Sequence, residues 1–113
     1  MDEILDTVFG DADLAHRAHL LAESLSQHEA LGEFYANARV AVDDFTEVAI
    51  GLELPLPEDR GPDMVARLEA SYVQLVDGRD AACHGNATLE NLHDSITQVY
   101  AKAIYKLRRF TKP

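Results

Sequence analysis

Tryptophan is absent and cysteine occurs once, at Cys83, so no intrachain disulfide can staple this chain and its core lacks the largest aromatic side chain. Basic residues are scarce: 10 Lys and Arg stand against 20 Asp and Glu, for a formal charge of −10 with histidines neutral. That balance argues against direct DNA binding and against attraction to an anionic membrane. No apolar run approaches the roughly 18 residues of a membrane-spanning helix, and no leader-type apolar segment opens the chain. A cytoplasmic location is the expectation, in the host cytoplasm or a virion if a phage encodes the chain.

What remains is 113 residues, 47% of them apolar and mostly Leu, Val, Ile and Ala. That length suits one domain with one core, and that mixture suits helices. The acids all lie between Asp2 and Asp94, where twenty of them face five arginines for a balance of −15. Lys102, Lys106, Arg108, Arg109 and Lys112 follow with +5, an acidic body ending in a basic tip.

Glycine and proline punctuate the chain at Gly10, from Gly51 to Pro62, and from Gly78 to Gly85. Residues 1–10 are expected to be loosely held, with Asp11 or Asp13 capping a first helix whose stripe is Leu14, Ala18, Leu21 and Leu25. A turn near Ala22 to Ser24 follows, marked by the capping boxes Ser24 with Gln27 or Ser26 with Glu29. The rival is one helix of about 40 residues, roughly 60 Å long, more than a small domain can cover.

The second helix carries Leu31, Phe34, Ala38, Val42, Phe45 and Ala49 and ends on Gly51, suited to a left-handed cap. Leu54 to Asp59 reads as an extended connection, because each proline pushes the residue before it out of helical space. Pro62 suits the first turn of a third helix with Met64 or Val65, Leu68, Tyr72, Leu75 and Val76 inward, closing at Gly78. Asn86 or Thr88 opens a fourth, with Leu89, Leu92, Ile96, Val99 or Tyr100, Ala103 or Ile104, and Leu107 on one side. Four amphipathic helices without a strand predict an all-α fold, an antiparallel four-helix bundle.

Chemistry concentrates in the first half. His16, His28, Asp43 and Glu47 combine imidazoles with carboxylates, the ligand mixture for iron, zinc or manganese. Asp43 and Glu47 stand four apart on one helix face, in a stretch otherwise rich in Val, Ala, Phe and Ile, where charge needs a partner or water. His28 and Asp43 share that face to within roughly 60° but lie about 22 Å apart along the helix, so they cannot ligate one ion within a chain. Antiparallel packing of this helix against its own copy would bring His28 of one chain to Asp43 and Glu47 of the other. The turn near residue 22 would place His16 beside His28. His93 and Asp94 on the last helix offer an alternative intrachain complement to Asp43 and Glu47.

The stretch AHRAHLLAESLSQHEALGEFYANARVAVDDFTEVAIGL, from Ala15 to Leu52, resembles the ferroxidase half of the Dps-like branch of the ferritin-like superfamily. His16, His28, Asp43 and Glu47 meet that pattern's spacings, and Tyr35 stands where the family often carries a tyrosine. QHEALGEFY and AIYKLRRF resemble more closely still small bacteriophage-encoded Dps-like proteins of uncharacterised function. The resemblance implies iron at a mononuclear or di-iron intersubunit site, Fe(II) oxidation, and homodimers assembling into a dodecameric shell. The chain departs from the pattern at Arg17, where a tryptophan is usual, and at Gly32, where a further carboxylate is usual. These departures suit a second expectation, a non-enzymatic oligomeric structural or host-interaction protein that keeps the scaffold without a working metal site.

Overall fold

The computed structural model describes residues 1–57 and 61–110. Among the described residues it is helical without strands: α1 Asp2–Leu20, α2 Leu25–Gly51, α3 Met64–Asp77, α4 Arg79–Cys83 and α5 Ala87–Phe110. The all-α expectation is met. Contacts divide the chain into two compact units, Met1–Asp59 and Arg60–Pro113. The first is the α1/α2 hairpin; in the second, α3 packs on α5 with α4 between them in sequence. Each unit therefore supplies one antiparallel pair of long helices.

The α1/α2 hairpin turns where Ser24 caps α2, its hydroxyl accepting from the Gln27 backbone N–H at 3.2 Å. Of the two capping boxes the first is used, and Ser26 lies inside the helix. At the other end α1 starts at Asp2 rather than at Asp11 or Asp13, and runs through Gly10. Leu5 and Val8 are the reason: with Ala12, Ala15, His19 and Ala22 they form a 3,4 repeat, and all six are buried or half-buried. Asp2 and Glu3 in the first turn suit the positive end of the helix dipole.

The expected α1 stripe points away from α2. Leu14 is 66% exposed, Leu21 82% and Leu25 71%, whereas Ala12 is fully buried. Small residues win this contact because they let two helix backbones approach closely, and the larger leucines then have no room between them. At the α2 terminus the left-handed residue is Glu53, with φ 58°, and Gly51 stays helical. Leu54 N–H donates to the Ala49 carbonyl and Glu53 N–H to the Ile50 carbonyl, each at 3.0 Å, the paired bonds of a Schellman motif. Leu54 to Pro57 follow without regular structure; Glu58 and Asp59 of the expected connection, and Lys112 of the basic tip, lie outside the described residues.

In the second unit Asp63 caps α3, its carboxylate accepting from Val65 N–H at 3.0 Å. Asn86 does the same for α5 through Leu89 N–H at 3.1 Å. The α3 face is the expected one at Val65, Leu68, Tyr72 and Leu75, which are half-buried, but Val76, also expected inward, is exposed. On α5 the face is rotated: Glu90, His93, Thr97, Tyr100, Ile104 and Leu107 turn inward, while Leu92 is 59% and Val99 67% exposed.

Arg79 fixes that rotation. Its guanidinium binds Asp94 through Nε at 2.8 Å and Nη2 at 3.0 Å, and Glu90 through Nη1 at 3.0 Å. The hydrogen bond from Arg79 holds the Asp94 carboxyl below its ordinary range. A lowered folded-state value contributes stability that is present above the unfolded value and lost as pH falls through the folded one. Chemical denaturation should therefore show wild type losing stability more steeply below about pH 4 than Asp94→Asn does. Equal slopes would remove this role from the pair.

Candidate functional site

Five side chains gather at the turn end of the α1/α2 hairpin. His16 lies flat on Tyr35, ring centroids 4.1 Å apart and planes 7° from parallel. His19 stacks on His28 at 3.7 Å and 22°, and meets Tyr35 edge-on at 5.5 Å. Arg39 covers Tyr35 with its guanidinium carbon 5.7 Å from the ring centroid. Such ring and cation–π contacts hold polar side chains in place where aliphatic packing is thin.

His19 and His28 clasp each other across the turn. Nδ1 of His28 bonds the His19 carbonyl at 3.0 Å, and Nδ1 of His19 bonds the His28 carbonyl. A carbonyl oxygen only accepts, so both Nδ1 atoms carry the proton. In the neutral rings this leaves the lone pair on Nε2. That is the tautomer of metal-bound histidines, whose other N–H is held by a carbonyl or carboxylate.

Gly32 makes this clasp sterically feasible. A Cβ at position 32 would stand 3.0 Å from Cε1 and 3.2 Å from Nδ1 of His19. The position at which the resemblance calls for a carboxylate is thus filled from the opposite helix by an imidazole. His19 lies outside the expected ligand set, since only contact across the hairpin distinguishes it from His16; Gly32 at the facing position is the signal the sequence carries. Gly32→Ala should lower stability by about 1 kcal/mol, because displacing the His19 ring gives up its bond to the His28 carbonyl and its stack on the His28 ring, which outweighs the gain in helix propensity. In a His19→Ala background the same change should raise stability by about 1 kcal/mol, with both measured by urea denaturation. An equal effect in the two backgrounds would uncouple the residues.

The structure brings together His16 and His28 of the expected set, with His19 and Tyr35 between them. It does not bring Asp43 or Glu47 to them. Both carboxylates are exposed on the second half of α2 and make no ion pair among the described residues. From His28 to Asp43 the helix rises about 22 Å. Among the described residues no group of three His, Cys, Asp or Glu side chains is placed to hold a metal ion. The donor chemistry fits iron, zinc or manganese, but in one chain it is divided into an imidazole half-set and a carboxylate half-set. Of the alternative complement, Asp94 is bound by Arg79 within its own unit, whereas His93 is buried with Nδ1 lacking a hydrogen-bond partner among the described residues.

An apolar stripe runs along α2 on the side opposite Asp43 and Glu47, which lie about 180° and 140° from Phe34 around the helix. Leu31, Phe34, Ala38, Ala41, Phe45 and Val48 run along it at intervals of 3, 4, 3, 4 and 3. Phe34 and Phe45 are each 48% exposed and Val48 62%. Both the spacing and the residue sizes read the same from either end: aliphatic, Phe, Ala, Ala, Phe, aliphatic. Ile4, Val8, Phe34, Ala38, Ala41 and Phe45 line an almost wholly apolar groove there. Among the described residues, no helix is long and apolar enough to cross a membrane. No family model, curated protein or solved structure matches the chain.

Proposed function

We propose that this chain is a ferritin-like, Dps-like iron-binding protein of the cytoplasm, a ferroxidase whose metal site is completed by a second copy, and that its two helix pairs pack as an antiparallel four-helix bundle. The observation that carries the reading is the division of the donor set along one face of α2, His28 about 22 Å from Asp43, so that only an antiparallel second copy brings the halves together; the palindromic stripe on the other side of α2 supports self-association. A two-fold interface places the same patch against itself, so it must be self-complementary along the helix. Setting Ala38 against Ala41 of the partner subunit also sets Phe34 against Phe45 and Leu31 against Val48.

In that register Asp43 and Glu47 point away from the partner subunit, so the metal site belongs to a second antiparallel contact, through the face of α2 that carries His28, Asp43 and Glu47. Two equivalent sites per dimer follow, each joining His16 and His28 of one chain to Asp43 and Glu47 of the other. Neutral imidazoles and anionic carboxylates suit Fe(II) and favour the product Fe(III) by charge. Two Fe(II) give one electron each to a peroxide, which takes up two protons and leaves as two waters. Zinc or manganese would occupy the same donors without that reaction. Acidic residues around the site draw cations inward, and dimers of this kind could close into a dodecameric shell.

The test is Fe(II) oxidation under air or peroxide, followed by absorbance, with metal content measured on the purified protein. Oxidation above the protein-free rate with stoichiometric iron supports the reading. A second reading has its own observation: Gly32 supplies no carboxylate, and among the described residues no three-ligand group exists within a chain. It makes the chain a non-enzymatic oligomeric module. Absence of bound iron, zinc or manganese, with no thermal stabilisation when they are added, would select it.

A further inference from the structure

The second unit carries a groove that the proposed iron chemistry does not use. It lies between α3 and the C-terminal half of α5, encloses about 1020 Å³, and is lined by Glu69, Tyr72, Val73, Ala101, Ile104, Tyr105, Arg108 and Arg109. Its floor is aliphatic and aromatic. Val73 and Tyr105 are each 56% exposed, although both are side chains that gain from burial.

Its rim reverses the sign of the protein. The chain as a whole carries −10, yet no acid follows Asp94. Along α5 Lys102, Lys106, Arg108 and Arg109 face outward. Among the described residues Glu69 is the only acid lining the groove, and it pairs with Arg108. Arg109 makes no ion pair among the described residues. Tyrosine and arginine beside an apolar floor are the residue types that dominate binding energy at protein interfaces.

Shape and charge together select the occupant. An enclosed small-molecule site buries most of its ligand, whereas this groove is open along one side and runs between two parallel ridges of helix. That is the receptacle for an amphipathic helix, read by apolar anchors at i, i+3 or i+4, and i+7. Extended nucleic acid would meet a rim of few cations and the repulsion of twenty acids elsewhere. We infer that the α3/α5 groove is a docking site for an acidic amphipathic helix of a partner protein, with apolar anchors on Val73, Ile104 and the two tyrosines and carboxylates at Arg109.

The experiment uses the full chain and a fluorescein-labelled helical peptide of about 16 residues, Leu at i, i+3, i+7 and i+10 and Glu on the remaining face, read by anisotropy. Saturable binding is expected, weakening as salt rises and weaker for a peptide with Lys in place of Glu. Arg109→Glu should weaken it about tenfold or more. Ala101→Trp, which fills the floor without changing charge, should do the same, with circular dichroism confirming helical content in each variant. Equal binding of the acidic and basic peptides, no binding of either, or insensitivity to both substitutions overturns the assignment. So does displacement of the peptide by a DNA duplex, or dissociation of a wild-type oligomer by Ala101→Trp, which would assign the groove to nucleic acid or to a second copy. Iron oxidation is read separately and need not change in either variant.

Discussion

Replacing Asp43 and Glu47 together by alanine is expected to abolish Fe(II) oxidation and to weaken iron binding by more than about a hundredfold, while the fold persists. Loss of even an outer-shell partner commonly costs 10- to 100-fold in affinity, and these two carboxylates are proposed as direct ligands. Neither is held in an ion pair among the described residues, and alanine is the better helix former, so thermal stability should rise slightly. Opposite movements of metal affinity and stability separate a ligand role from a structural one. His28→Ala should match the metal defect but lower stability, because it opens the clasp with His19. Oxidation at the wild-type rate in Asp43→Ala/Glu47→Ala would dismiss the assigned site.

The second large effect concerns assembly. Ala41→Arg should convert a dimer into the 12.5 kDa monomer, raising the dissociation constant by more than about a hundredfold. In the proposed register Ala41 lies opposite Ala38 of the partner subunit near the two-fold axis, so each dimer would bury two unpaired guanidinium groups. Burying one such charge costs several kcal/mol. Sedimentation equilibrium distinguishes the states, and Leu14→Arg, on an exposed α1 position outside this stripe, is the control expected to leave the mass unchanged. A monomeric wild type at tens of micromolar would remove the intersubunit site altogether.

Much of the fold was legible because its signals are local. The Ser24 and Asn86 caps and the proline-bearing connection depend on a few neighbouring residues, and each marks an element boundary found in the structure, whereas Pro62, expected in the first turn of α3, precedes the Asp63 cap. The error at the start of α1 came from giving Gly10 the weight of a boundary. A glycine costs an interior helix position only about 1 kcal/mol, which packing of Leu5 and Val8 offsets. Faces were harder than boundaries. Leu14, Leu21, Leu92 and Val99 formed the most apolar stripes, yet Ala12, Ala15, His93 and Thr97 are the residues that turn inward. Hydrophobic periodicity identifies a helix with apolar faces, but when a helix has two of them it does not say which one its nearest neighbour takes.

The candidate site divides along the same line. By itself the sequence determined the donor inventory, the one-turn spacing of Asp43 and Glu47, and the separation that prevents them from sharing an ion with His28 in one chain, because helix pitch and rise follow from residue number alone. It also determined the sign change between the acidic body and the basic end of α5. Only the tertiary structure decided that His19 fills the space above Gly32 and locks His28 in one tautomer, that Arg79 claims Asp94, and that an apolar palindrome on α2 remains uncovered within its unit. Those outcomes depend on contact between segments that sequence distance does not relate, and on whether a small side chain such as Gly32 leaves room for a larger one from the opposite helix.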